Sequence, residues 1–373
     1  MKQHTRSRAI RLVSVVAVAA IALGACGSSK KAATGAASTA AAKPAASGKK
    51  IGVALILKTL SNQFFVSMQK SADKHAAEVG VDLKVSAGTK DGDDATQISA
   101  IENAISAGYK GILITPTSDN VVPAIKKARD AGLLVIALDT PPNPPTSVDI
   151  TFATDNLEAG KLIGQWTAGK LAGTKAVIAM LDLFDKQVVS VDLNRDQGFL
   201  AGMGIAVPDK TKNGSEAPTG KYTGGKGGDY EIACHVPTNG ATPDGKTAME
   251  TCLAKNPNIN VVYTINEPAA VGADQALKAA SKKAIIVSVD GGCKPGLEAV
   301  KSGVIGATSQ QYPGDMATKG IDAIVTLAGG GAKPAVSPGL DFFNTGVKLV
   351  TDTKVDGVTN ISVADGEKIC WGV

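Results

Sequence analysis

From Ile51 onward, the sequence alternates apolar runs of strand length with segments of helical periodicity. The runs read GVALIL, VDLKVSAG, GILITP, LLVIALD, KAVIAML, YEIACHV, INVVYTIN, AIIVSVD and VIGATSQQ. Between them lie amphipathic stretches such as ATQISAIENAISAG and AAVGADQALKAA, several stopping at glycine. Strands apolar on both faces and separated by helices belong in parallel sheets covered on both sides. This many βα units exceeds one comfortable open sheet. The expected fold class is therefore α/β, with two doubly wound parallel-sheet lobes, as a length of 373 residues also favours. A single nine-strand sheet or a closed barrel is the competing arrangement. The expected break lies between Asp139 and Asp155, where PPNPPTS cannot hold regular structure. The polar, Gly- and Lys-rich stretch from Asp209 to Asp229 reads as an exposed loop of the second lobe.

The formal charge of +5 is unevenly placed. Nine basic residues and no acids fall in the first fifty, which leaves the body at −4. A mildly acidic body argues against a nucleic-acid partner. Basic residues followed by the apolar run Leu12–Ala25 read as a secretory signal over residues 1–25. That run is short for a bilayer span of roughly 20 residues. It ends in Leu23-Gly24-Ala25-Cys26, which resembles a bacterial lipobox with Cys26 as the lipidated residue; an ordinary signal with a chance cysteine is the plainer alternative. Residues 26–49 are small, polar and aperiodic, as in a flexible tether.

Export places the other four cysteines in an oxidising compartment, where two disulfides are expected. Of three possible connectivities, Cys234–Cys252 joins a strand end to the next helix, and Cys293–Cys370 pins the C-terminal tail. A zinc site is the rival, but there is no Cys-x-x-Cys and the histidines are scattered, so no metal is expected. His75 and His235 have no recognisable partners in the sequence.

Ligands of open α/β sheets bind beyond the carboxyl ends of the strands. After the first run come Lys58, Asn62, Phe64 and Phe65, and after the fourth comes Asp139. Arg195, Asn239, Asn266, Asp290, Gln310 and Gln311 follow runs in the second half. Carboxylates, amides and cations with an aromatic wall suit a polyhydroxylated, uncharged ligand. No glycine-rich phosphate loop follows the first strand, so no dinucleotide cofactor is expected. Each polar residue also has a plain scaffold reading, such as a helix cap at Asn62 or Asn266 and turns at Asp139 and Asp290. Neighbours on a helix point about 100° apart, so one phenylalanine is expected in the core and the other facing elsewhere.

The segments TLSNQFFVSMQKSADKHAAEVG, VIALDTP, NRDQGFLAGM, VVYTINEPAAVGADQAL, VSVDGG and GATSQQYP, taken in order, resemble the periplasmic sugar-binding proteins of ABC importers, ribose/galactose type. ATDNLEAGKLIGQ, VVYTINEPAA and EKICWG are most similar to the fructose-binding branch. The resemblance implies a sugar site with an amide at Asn62, paired aromatics at Phe64 and Phe65, and hydroxyl ligands at Asp139, Arg195, Asn266, Asp290 and Gln311. Asn239 aligns loosely, where ribose members carry an aromatic. Thr140 stands in place of an arginine and Lys58 in place of a small hydroxyl residue, which disfavours ribose. It also implies a three-strand hinge, with lobe 1 as residues 50–154 plus 312–342 and lobe 2 as 155–311 plus 343–373.

The function expected is a lipid-anchored, extracytoplasmic monosaccharide receptor. It would act as a monomer, deliver fructose, or ribose, mannose or galactose, to the transmembrane subunits of an ABC permease, and use no cofactor. A sugar sensor for a chemoreceptor or kinase shares such a site, and a secreted sugar-modifying enzyme is the rival from another class. No nucleophile elbow or paired Ser and His points to an enzyme. A sugar-responsive repressor would need a DNA-binding headpiece where this chain has an export signal.

Overall fold

The computed structural model describes residues 50–372. The signal, Cys26 and the whole tether lie outside them. Among the described residues no helix is long and apolar enough to cross a membrane.

The chain runs β1 (Gly52–Leu57), α1 (Gln63–Val79), β2 (Asp82–Ala87), α2 (Asp94–Ser106), β3 (Gly111–Ile114), α3 (Val122–Asp130), β4 (Leu134–Leu138) and β5 (Ile150–Ala153). It continues with α4 (Asn156–Leu171), β6 (Ala176–Asp182), α5 (Ser190–Met203), β7 (Thr219–Tyr222), β8 (Gly228–Pro237), α6 (Thr242–Lys255), β9 (Val261–Thr264), α7 (Glu267–Ala279) and β10 (Ile285–Asp290). Last come α8 (Glu298–Lys301), β11 (Ala307–Gln310), α9 (Pro313–Ala328), β12 (Phe343–Asn344), β13 (Lys348–Val350) and α10 (Val363–Gly366).

Two sheets result. The first has the order β12-β5-β4-β3-β1-β2 and is parallel throughout. The second has the order β13-β11-β10-β9-β6-β8-β7, a parallel centre with an antiparallel strand at each edge. Strands such as β6, buried along its whole length, explain why the runs are apolar on both faces. The chain crosses between the sheets after Ala153, after Gln310 and after Asn344.

Three expectations change. The crossing after Ala153 falls inside the expected interval, Asp139 to Asp155, but the proline-rich stretch itself is a connection within the first sheet, because Ile150–Ala153 returns to pair with β4 before the chain leaves. A strand of four residues beside prolines carries too little periodicity to stand out. The third crossing comes a little after residue 343, since Phe343 pairs with Phe152 in the first sheet. The 209–229 stretch is not only loop: Thr219–Tyr222 pairs with β8, and Tyr222 and Glu216 are buried.

A close contact between α4 and α5 positions Arg195. Gly160 of α4 lies against the Arg195 carbonyl of α5, and Gly198 of α5 lies against the Leu157 carbonyl of α4. A Cβ at either position would overlap backbone oxygen, so glycine is what lets the axes approach. Gly198→Ala is expected to cost about 1–3 kcal/mol of stability, as overpacking does. It should also weaken ligand binding, because α5 carries Arg195. Chemical denaturation of the variant checks the first effect, and an unchanged midpoint would contradict it.

Candidate functional site

The carboxyl ends of the two sheets face each other across a cavity holding about 350 Å³ of atom-free space, its open mouth included. Lys58, Asn62, Phe64, Phe65, Asp91 and Asp139 line it from the first lobe. Leu183, Val191, Arg195, Ile265, Asn266 and Asp290 line it from the second. The rims touch: Ser190 Oγ donates to the Pro141 carbonyl at 2.7 Å, and Gln187 Nε2 to Asp94 Oδ2 at 3.2 Å.

Asp139 immediately follows β4 and Asp290 is the last residue of β10, both central strands, and both have positive φ, 66° and 132°. A non-glycine residue rarely adopts such angles, and strain of this kind collects at functional sites. Asp139 takes a hydrogen bond from Thr140 Oγ1 at 2.7 Å and faces Lys58 Nζ at 3.9 Å. Asp290 accepts from Gln311 Nε2 at 2.9 Å and lies 3.5 Å from Arg195 Nη1. Arg195 itself is fixed, donating from Nε to Asn156 Oδ1 at 2.7 Å and from Nη1 to the Ile265 carbonyl at 2.8 Å. Asn62 caps α1 by accepting from Phe64 N, and Asn266 caps α7 by accepting from Ala269 N. Both amides therefore hold a scaffold role while lining the cavity.

Of the residues expected at the site, Lys58, Asn62, Phe64, Phe65, Asp139, Arg195, Asn266 and Asp290 meet there. Gln311 is fully buried and orients Asp290 instead of lining the cavity. Asn239 lies outside this cavity, in an adjoining cleft that it shares with Asn62 and Asp91. It is exposed in a left-handed turn, and its amide donates to Asp244 Oδ2 at 3.0 Å. The division of labour expected for the two phenylalanines also fails. Both are buried in the core of the first lobe and both line the cavity. Phe64 sits edge-on to Phe65 and to Trp371 of the C-terminal tail, 5.3 Å between centroids in each case. Cys234 is bonded to Cys252, and Cys293 to Cys370, so the tail carrying Trp371 is tied to the second lobe.

Asp91 is the polar contact that the sequence reading missed. It follows β2 in the acid-rich TKDGDD and accepts from Thr117 Oγ1 at 3.0 Å. That run of acids after a strand end was the available signal. The apolar lining residues Leu183, Val191 and Ile265 carried none.

Glu267 stands directly behind Asp290. It accepts from Gly291 N at 2.7 Å, Gly292 N at 3.2 Å and Thr308 Oγ1 at 2.8 Å. Burial, with the Asp290 charge, pushes its carboxyl up to about 8. Burial and the Asp139 charge push Asp290 to about 7 against the pull of Arg195. Both values lie above those of the unfolded chain, so the folded protein keeps protons that the unfolded chain releases near pH ~4. The stabilisation this gives is complete below that point and is lost as pH rises through the folded values. The melting temperature is expected to fall between about pH 5 and pH 9. Glu216 has the opposite sign: burial opposes its charge, but the His235 hydrogen bond outweighs that and lowers it. Its contribution is lost only at lower pH. A melting temperature that rises across the window would contradict the assignment.

The sequence profile of the periplasmic binding protein domain matches residues 53–332. The chain belongs to this family. Among relatives of this binding protein, the ribose import binding protein RbsB of Haemophilus influenzae is 30% identical over 262 residues, spanning 70% of this chain and 80% of that one. The D-allose-binding periplasmic protein of Escherichia coli is 25% identical over 281 residues, 73% of this chain and 83% of its own. Among solved structures, an ABC transporter solute binding protein of Agrobacterium vitis with bound D-fucose superposes with a TM-score of 0.68 at 24% identity, covering 86% of this binding protein and 100% of that chain. The match supports the two-lobed α/β fold, and the relatives are transport binding proteins, not enzymes.

Proposed function

We propose that this binding protein captures one monosaccharide, fructose foremost, outside the cytoplasmic membrane and delivers it to the permease of an ABC importer. The observation that carries this reading is the convergence of buried charges and amides from both sheets on one small cavity with an aromatic wall. Asp91, Asp139 and Asp290 are hydroxyl acceptors, Lys58 and Arg195 are donors, and Asn62 and Asn266 serve as either. Phe64 and Phe65 cover the C–H face of the ring. Fully engaged hydrogen bonds need both lobes, so the guest favours the closed arrangement by differential affinity. Gln311 acts through Asp290.

Two features favour fructose over ribose. Lys58 and Thr140 flank Asp139 where ribose binders carry a small hydroxyl residue and an arginine, and the tail EKICWG resembles the fructose branch. The proposed anchor is a lipid on Cys26, with residues 26–49 as tether, and the working form is a monomer. Calorimetric titration with fructose, ribose, allose, mannose, galactose and inositol tests the ligand. Fructose is expected to saturate a single site at the lowest concentration and to be recovered unchanged. Tighter binding of ribose or allose would remove fructose, and no binding at all would remove the sugar reading.

A further inference from the structure

Behind the second lobe's wall of the cavity lies a cluster that sugar binding does not use. His235 of β8 is hydrogen-bonded through Nε2 to Glu216 Oε1 at 2.7 Å. Its Nδ1 lies 2.8 Å from Asp182 Oδ2 and 3.9 Å from Asp196 Oδ2. One ligand atom from each of Asp182, Asp196 and His235 lies within 4.8 Å of the other two. Asp196 is fully buried, and neither of its carboxylate oxygens has a hydrogen-bond partner. Asp182 Oδ1, Glu216 Oε2 and the Tyr263 hydroxyl are likewise buried without partners. Asp192 and Arg195, on the same helix as Asp196, complete the charged surroundings.

Three carboxylates around one imidazole exceed the charge that a single imidazolium balances. Buried excess charge is costly unless a proton or a cation neutralises it. The His235 arrangement also matches a metal ligand, since such a histidine gives its other ring N–H to a carboxylate, here Glu216. We propose that Asp182, Asp196 and His235 form a binding site for a divalent transition-metal ion of the zinc type. Ligand atoms about 2.0–2.2 Å from such an ion require only a small widening of the Asp182–His235 contact and a small narrowing of the Asp196–His235 one. Binding replaces the proton between His235 Nδ1 and Asp182, which leaves to solvent. The His235 side chain is 25% exposed and gives the ion its entry. Asp182 immediately precedes Leu183, and Asp196 immediately follows Arg195, so the ion braces two lining residues of the cavity.

Chelator-stripped full-length protein titrated with Zn²⁺, followed by calorimetry and by melting temperature, tests this without any sugar present. The expected result is one ion per chain and a raised melting temperature. Asp196→Asn and His235→Gln should each abolish both effects. Asp196→Asn relieves like-charge repulsion and should fold, as circular dichroism will show. His75→Ala should keep them, since His75 is a surface histidine held by Asp322 and Glu78. No Zn²⁺ effect in the wild type would overturn the proposal. So would binding that survives both cluster variants or disappears with His75. Sugar affinity is measured separately, so failure here leaves the sugar reading intact, and the reverse also holds.

Discussion

Asp290→Ala is expected to lower sugar affinity by roughly 3–5 kcal/mol, two to four factors of ten. The carboxylate is buried and sits between Arg195 and Gln311 at the meeting of the lobes. Removing it takes away a charge-assisted acceptor for sugar hydroxyls. It also leaves the Arg195 guanidinium without its nearest anion, and an unpaired buried charge costs more than one lost hydrogen bond. Asp290→Asn keeps the shape and one acceptor, so its loss should be smaller. Titration calorimetry of both variants reads the effect. Affinity equal to wild type in the alanine variant would remove Asp290 from the site.

The second large effect is on folding. Glu267→Ala removes the acceptor for Gly291 N, Gly292 N and Thr308 Oγ1, all inside the protein. Each orphaned buried donor costs about 1–3 kcal/mol, so the total is a large fraction of the roughly 5–15 kcal/mol that holds a domain folded. The same glutamate pins the backbone just beyond Asp290, whose φ of 132° needs support from its surroundings. The variant should therefore melt much earlier, and any folded fraction should bind sugar weakly. Glu267→Gln retains one acceptor and should fall between. Urea denaturation distinguishes these outcomes, and an alanine variant as stable as wild type would refute the clamp.

What the sequence made legible follows from what local patterns encode. The nine apolar runs all became strands; those at the sheet centres, such as β6, are covered on both faces and so apolar throughout, while β2 at a sheet edge is only partly buried. Eight of the ten expected site residues line the cavity because strand carboxyl ends define where a ligand can sit. The failures are residues whose neighbours are set by tertiary contact. Asn239 was placed by its position after a strand, but a left-handed turn sends its side chain to Asp244. Glu216 and Tyr222 lie in a stretch of glycine and lysine, and only the pairing of β7 with β8 buries them. His235 gained Asp182 because β6 and β8 run side by side, although 53 residues separate the two. Trp371 reached Phe64 through a tail whose disulfide, not its periodicity, fixes its course.

Small-angle scattering of the purified protein with and without saturating sugar tests most directly whether two lobes close on one guest. A smaller radius of gyration is predicted with the sugar that calorimetry finds tightest. Superimposable curves at full occupancy would contradict closure and with it the shared cavity as the seat of binding.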